Sequence, residues 1–378
     1  MSAREKPSSF PGGAASCDAG EVALLTIDLG ALAGNYRLLA ERAAPAECAA
    51  VVKADAYGLG LEPVMRRLLA AGCRTFFVAT SGEGQRARAI SREAAIYVFN
   101  GAPPGSWPLL VAQDLRPVLN SLDEIAEWAA TAPAAPAALH IDTGMSRLGV
   151  APQEAAAAAE LSRGLPLALV MSHFVSSQQP ENSRNEWQIA EFAAGRAHFP
   201  GVAASLANSS GIFLSQRPYL ELVRPGYALY GGNPTPGNPN PMRPVVKLEA
   251  RILALREIEA GETVGYDATW TAARPSRLAT LGLGYADGLP WGASLKAGAP
   301  PLEALVSGFR CPIVGRVSMD AIVLDLTDAP PSLARRGDFV ELLGETTGVD
   351  ALAERAGTIG YEILTRLGRR YARRYVGG

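Results

Sequence analysis

The chain has 378 residues, of which 48% are hydrophobic and 19% charged, with 35 Lys+Arg against 37 Asp+Glu and a net charge of -2. The charged share lies below the ~25% usual for soluble globular proteins, which argues against disorder and leaves material for a large core. The near-neutral balance excludes a general nucleic-acid binder, and no apolar run reaches the ~18 residues of a membrane span. The four cysteines (Cys17, Cys48, Cys73 and Cys311) form no CxxC pair, so a disulfide scaffold is excluded and a reduced, cytoplasmic setting is expected.

Residues 1–20 are rich in Ser, Pro, Gly and Ala without an apolar signal core, and read as a disordered lead. Ile27-Asp28-Leu29 opens an apolar-periodic stretch through Leu38-Leu39, a helix with Asp28 near its N-cap. Short apolar runs at 48–54, 75–79, 95–99, 116–119, 137–141, 167–172, 204–207 and 220–223 follow, alternating with helix-forming segments such as 61–71, 153–162 and 184–197. Eight strand candidates in β-α alternation point to an α/β fold with an N-terminal (β/α)₈ TIM-type barrel over 21–240. Residues 233–244 form a Pro/Gly/Asn linker. Beyond it, runs at 245–255, 277–283, 303–306, 312–317, 321–326 and 339–343 predict a C-terminal, mostly β-strand domain over 241–378, closed by a short helical tail.

Chemistry in such a barrel gathers at the C-terminal strand ends. Those ends carry Lys53-Ala54-Asp55-Ala56-Tyr57-Gly58, His140-Ile141-Asp142, Ser172-His173-Phe174, Asn208-Ser209-Ser210-Gly211 and Arg224-Pro225-Gly226-Tyr227. The basic residues are 31 arginines and only Lys6, Lys53, Lys247 and Lys296. Lys6 falls in the lead and Lys296 in a Gly/Pro loop, so Lys53 alone is held by a buried barrel strand. A lysine desolvated there has a lowered pKa and is suited to covalent attachment of a carbonyl compound. The last two strand ends occupy the usual phosphate site of a barrel. Asp55 and Asp142 read as loop-capping groups rather than metal ligands, since no paired carboxylate or histidine stands at metal spacing and no metal is expected. His198 reads as structural and Cys311 as core.

These segments, in order, resemble the alanine racemases. The resemblance rests on Ile27-Asp28-Leu29-Gly30-Ala31-Leu32 with Asn35, Val51-Val52-Lys53-Ala54-Asp55-Ala56-Tyr57-Gly58, Asp142-Thr143-Gly144-Met145-Ser146-Arg147-Leu148-Gly149 and Met171-Ser172-His173-Phe174. It continues through Ala207-Asn208-Ser209-Ser210, Arg224-Pro225-Gly226-Tyr227, Gly284-Tyr285-Ala286-Asp287-Gly288, Gly315-Arg316-Val317-Ser318-Met319-Asp320 and Gly360-Tyr361-Glu362.

The resemblance implies an isomerase that interconverts L- and D-alanine with pyridoxal phosphate (PLP). Lys53 would carry the cofactor covalently and act as base for the D-enantiomer, with Tyr266 as the opposite base for the L-enantiomer. Tyr57, Ser209, the Gly226 and Tyr227 backbone and Tyr361 would hold the phosphate. Arg224 would face the pyridine nitrogen and, with His173, form a charged network. Arg147 and the Met319 backbone would contact the substrate, while Tyr285 and Tyr361 would narrow the entrance. The resemblance also implies a homodimer whose active site is completed by the second subunit, and a role in D-alanine supply for peptidoglycan or in alanine catabolism. A broader amino-acid racemase, a PLP-binding protein without turnover, a barrel-type decarboxylase and a metal-dependent hydrolase are the rival classes. His140 stands where the family commonly has a carbamylated lysine, Gly265 and Asp267 replace the usual Ser and Gly, and Trp270 replaces Phe or Tyr.

Overall fold

The computed structural model describes residues 20–294 and 300–378. The predicted disordered lead, apart from Gly20, and Lys296 therefore lie outside the described residues. The chain divides into two compact units: residues 32–242, and the segment up to Ala31 together with Arg243–Gly378.

Strand β1 (Ala23–Asp28) is buried at all six positions and runs directly into the helix Leu29–Ala43. The Asp28 carboxylate accepts the Ala31 N–H at 2.8 Å, the N-cap role expected of it. Ile27 was expected in the helix, and the segment from 21 in the barrel; both expectations are corrected here. β1 belongs to the sheet of the other unit, because its run Ala-Leu-Leu-Thr-Ile-Asp, buried throughout, needs cover on both faces and a strand on each side.

In the 32–242 unit, the short strands β2 (Glu47–Cys48), β3 (Ala50–Val51), β4 (Thr75–Val78), β5 (Ala95–Val98), β6 (Arg116–Leu119), β7 (Ala137–His140), β8 (Leu167–Met171), β9 (Ala204–Ser205) and β10 (Leu222–Val223) form the barrel. β3 through β9 make a parallel sheet in chain order, and β10 pairs in parallel with β2. Backbone bonds close the ring: the N–H groups of Glu47, Ala49 and Val51 donate to Glu221, Val223 and Pro225 at 2.9, 3.0 and 2.9 Å. On the other side the Arg224 N–H donates to Ala207 O at 2.9 Å. β2 and β3 are thus one stave interrupted at Ala49. The helices Leu61–Ala70, Ser81–Ile90, Leu122–Thr131, Ala155–Leu161 and Arg184–Arg196 fall between the staves. Most strand positions are buried, as expected of parallel staves covered on both faces.

The other unit is built around β11 (Val246–Ile258), long enough to serve several partners. It continues through β12 (Thr263–Val264), β13 (Trp270–Thr271), β14 (Ser276–Leu281), β15 (Glu303–Val306), β16 (Phe309–Val314), β17 (Ile322–Asp325) and β18 (Phe339–Leu343). The order β14-β17-β16-β15-β18-β11, with a further β11–β14 pairing, closes these strands on themselves. The predicted helical tail is present as Val349–Ala356 and Gly360–Arg366, but the chain ends in strand β19 (Ala372–Val376), parallel to β1. Among the described residues, no helix is long and apolar enough to cross a membrane.

Candidate active site

Lys53 leaves the end of β3 into a backbone that L-residues avoid. Ala54, Asp55 and Ala56 have φ of 55° and Tyr57 of 54° before Gly58 at 83°. Left-handed geometry costs about 1–2 kcal/mol for each non-glycine residue, and such strain persists only where the surroundings over-determine it. The turn is closed by Ala56 N–H to Val52 O at 2.9 Å and Gly58 N–H to Ala54 O at 2.7 Å. Glu83 Oε1 accepts the Ala54 N–H at 2.6 Å, and the Asp55 carboxylate accepts the Leu61 N–H at 3.2 Å and pairs with Arg86 at 2.5 Å. Asp142 likewise accepts the N–H groups of Gly144, Met145 and Ser146 at 3.0, 2.8 and 2.8 Å. Both aspartates serve as loop-capping groups.

Burial lowers the Lys53 pKa, with the Arg147 charge adding to the effect and Glu83 opposing it. Its Nζ lies 5.7 Å from the Phe99 ring centroid. Phe99 stacks on Phe77 at 5.0 Å, and Arg224 Cζ lies 6.0 Å from the Phe77 centroid. The other described lysine, Lys247, is ion-paired with Glu249 at 2.8 Å and Glu341 at 3.7 Å. Lys53 is therefore the one described lysine amine without a carboxylate ion pair.

Arg224 is 2% exposed. Its guanidinium donates to the Ser205 hydroxyl and to the Ser172 carbonyl, while its Nε is buried with no partner. Burial brings its pKa down to about 9, so it remains a cation at neutral pH. His173 follows Ser172. Burial, then the charges of Arg224, Arg147 and Lys53, push its pKa well below 6.5. Burial and these neighbouring cations disfavour protonation of the His173 ring, so the charge of the Arg224–His173 network rests mainly on Arg224. Gln188, from the helix Arg184–Arg196, holds this strand end by donating to His173 O at 3.0 Å and accepting from the Val175 N–H at 2.9 Å.

His140 is also buried, and its pKa falls to about 4, mainly through burial and then through Arg224. Its Nδ1 lies 3.0 Å from Asn120 Oδ1. The Asn120 amide nitrogen donates to the carbonyls of Val118 at 2.7 Å and Phe99 at 3.1 Å, so its oxygen is left to accept. The pair fixes the proton on Nδ1 of a neutral ring, where an anionic carbamylated lysine is common in the resembling family.

At the ends of the last two staves, the N–H groups of Gly226 and Ala228 converge on Ser209 Oγ at 3.0 and 3.2 Å. A Cβ at Gly226 would collide with the Tyr57 hydroxyl, so only glycine lets that phenol approach. Tyr57 stacks on Tyr230 with centroids 4.6 Å apart. With two N–H groups donating to its oxygen, the Ser209 hydroxyl is left to donate its own proton, and together with the Tyr57 phenol at the usual phosphate position it suits a phosphate dianion. The orphaned Arg224 Nε is a buried donor that lacks an acceptor, and a pyridine nitrogen would satisfy it. The residues present therefore fit pyridoxal phosphate.

The remaining expected site residues belong to the second unit. Tyr266 follows Gly265 (φ 77°) in a tight turn and is 68% exposed. Arg316 ion-pairs with Asp267 and lies 5.7 Å from the Trp291 ring centroid. Tyr285 and Ala286 N–H donate to Ser318 O and Met319 O at 3.0 Å each, and the side chains of Tyr285 and Met319 are exposed. Tyr361 has its pKa raised to about 12 by burial and by Asp350. Glu83, Asn120, Gln188 and Ala228 were not singled out by sequence. Thr80-Ser81-Gly82-Glu83 does carry a readable capping-box pattern; Gln188 and the Ala228 N–H leave no local signal.

The description "Alanine racemase, N-terminal domain" matches residues 27–234 and "Alanine racemase, C-terminal domain" residues 245–375. The chain is 58% identical to an alanine racemase of Methylobacterium nodulans over 94% of this chain and 96% of that one. It is 56% identical to an alanine racemase of Methylobacterium sp. (strain 4-46), over 94% and 98% respectively. The alanine racemase of Bartonella henselae, solved with covalently bound pyridoxal phosphate, superposes with a TM-score of 0.89 at 40% identity, covering 94% of this chain and 99% of that one. The chain belongs to the alanine racemase family, isomerases that interconvert L- and D-alanine.

Proposed function

We propose that the protein racemises alanine with pyridoxal phosphate held on Lys53, moving the Cα proton between two bases, Lys53 and Tyr266. When bound, pyridoxal phosphate supplies an electron sink for the charge left at Cα. The Lys53 amine, its pKa lowered by burial and by Arg147, is suited to take the D-enantiomer's proton. The Tyr266 oxygen takes the L-enantiomer's proton on the opposite face, and each base returns a proton to the face it serves.

Arg224, whose Nε is buried without a partner, would donate to the cofactor's ring nitrogen. A guanidinium has donors only, so it would leave that nitrogen unprotonated, which would favour proton transfer over decarboxylation. His173, whose protonation burial and Arg224 disfavour, would complete that network. Tyr57, Ser209, the backbone of Gly226 and Tyr227, and Tyr361 would hold the phosphate. Arg147 and the Met319 backbone bind the substrate, and Tyr285 with Tyr361 keeps the entrance small enough to favour alanine.

The exposure of Tyr266, with Met319 and Trp291 also exposed in the same unit, supports a homodimer in which a second copy completes each site. On this reading the reaction takes place in the cytoplasm, as a source of D-alanine for peptidoglycan or as a step in alanine catabolism.

One observation carries this reading: a lysine without a carboxylate partner, with a lowered pKa, on a strained turn of the barrel rim. The direct test is borohydride reduction of the cofactor-loaded protein followed by peptide mass spectrometry. The cofactor is expected on Lys53 and absent from Lys53→Ala; a trapped adduct surviving in that variant contradicts the assignment.

A further inference from the structure

We propose that Glu83 is a positioning residue for Lys53, its carboxylate holding the left-handed turn that aims the lysine side chain; this rests on the reading of Lys53 above.

The geometry singles out one carboxylate that reaches two staves at once. Glu83 Oε1 accepts the N–H of Ala54, the residue after Lys53, at 2.6 Å. Its Oε2 accepts the N–H of Ala79 at 2.8 Å and lies 3.4 Å from that of Thr80, just beyond the end of β4. The end of stave one and the end of stave two are thereby tied through a single side chain.

Ala54 is the first residue of the left-handed run, and its backbone sets the direction of Lys53. Without the bond to Glu83, that N–H would favour release of the strained turn toward ordinary geometry. The carboxylate also places a negative charge within electrostatic reach of the amine.

Helix capping alone does not explain this. The capping box needs the Thr80 hydroxyl to accept the Glu83 N–H, at 3.3 Å, and the Glu83 side chain to reach back to the backbone at Thr80. The shorter bond to Ala54 lies outside the box, twenty-nine residues back along the chain. A glutamine has one acceptor oxygen and cannot serve Ala54 and Ala79 together, so Glu83→Gln removes one tie at nearly constant size. Thr80→Ala weakens the cap and leaves the carboxylate in place.

The test compares the wild type with both variants in two measurements. In cofactor-free protein, hydrogen exchange of the peptide spanning residues 53–61 is expected to speed up in Glu83→Gln and not in Thr80→Ala. In loaded protein, Glu83→Gln is expected to lose about tenfold in kcat, ~1.4 kcal/mol on the barrier, with KM for alanine nearly unchanged and the visible circular dichroism of the bound cofactor weakened. Equal behaviour of the two variants, or wild-type exchange and kcat in Glu83→Gln, overturns the proposal while leaving cofactor attachment to Lys53 intact. Borohydride trapping on a residue other than Lys53 in the wild type overturns both readings.

Discussion

Lys53 and Arg224 are cations facing rings of one aromatic stack, Phe99 on Phe77, and burial lowers the pKa of each. They differ in use. Arg224 stays charged and keeps Nε free as a donor, whereas Lys53 is brought toward the neutral amine that a base requires. Tyr266 stands in the other unit, so its role is separable from cofactor binding. Tyr266→Phe is expected to slow L-to-D turnover by about a hundredfold or more while cofactor affinity stays at the wild-type value; steady-state rates in both directions with a cofactor titration check this. His140 makes a second residue-scale prediction. Its pKa falls from 6.5 to about 4 on folding, so the unfolded chain binds more protons between those values. Stability from this group is full above pH 6.5 and is lost as pH falls toward about 4, at up to ~1.4 kcal/mol per pH unit. His140→Gln is expected to flatten the fall of melting temperature across that window, with His173, shifted in the same direction, retaining part of the slope. Lys53 and the histidines were legible because lysine and histidine are scarce in the chain, and Arg224, one of 31 arginines, by its place at the end of the last barrel strand. Glu83 and Asn120 were not, because the partners that matter, the Ala54 N–H and the His140 ring, lie twenty-nine and twenty residues away in sequence.

The staves were readable as elements because each apolar run ends where a polar or glycine-bearing tip begins. Their observed ends fall up to three residues early, at Val51, Ser205 and Met171 for example, since the last residues turn outward to present the site. β1 was hidden because Ala23–Asp28 flows into a helix with no glycine or proline between them. β19 was hidden by its arginines, Arg373 and Arg374, which mask a strand paired along one edge to β1. The left-handed turn after Lys53 could not be inferred from Ala-Asp-Ala-Tyr, residues that individually prefer right-handed geometry; hydrogen bonds to Glu83 and Leu61 accompany it there. Where the elements meet at the phosphate cradle, the glycine requirement is steric. Gly226→Ala would drive a methyl group into the Tyr57 hydroxyl. Overpacking of that kind costs ~1–3 kcal/mol, so cofactor affinity is expected to fall by about tenfold or more, measured by fluorescence titration of cofactor-free protein. Unchanged affinity would mean that the phosphate sits elsewhere.

At the scale of the whole molecule, the barrel unit carries Lys53, the proposed phosphate cradle and the buried Arg224, and the strand-rich unit carries Tyr266, Tyr285, Met319 and Tyr361. Neither unit holds both proposed bases. That division fits a family in which two matched regions run through nearly the full chain, 27–234 and 245–375. It was legible in outline as a change of texture after the linker, while the return of β1 to the second unit was not. The central claim is that one Cα proton is removed by one base and replaced by another. It is tested most directly by incubating the cofactor-loaded protein with L-alanine and, separately, D-alanine in deuterated water while inversion and deuterium at Cα are followed together. Turnover in both directions with deuterium entering the inverted product is the predicted result; tightly bound cofactor with neither exchange nor inversion of either enantiomer would contradict it.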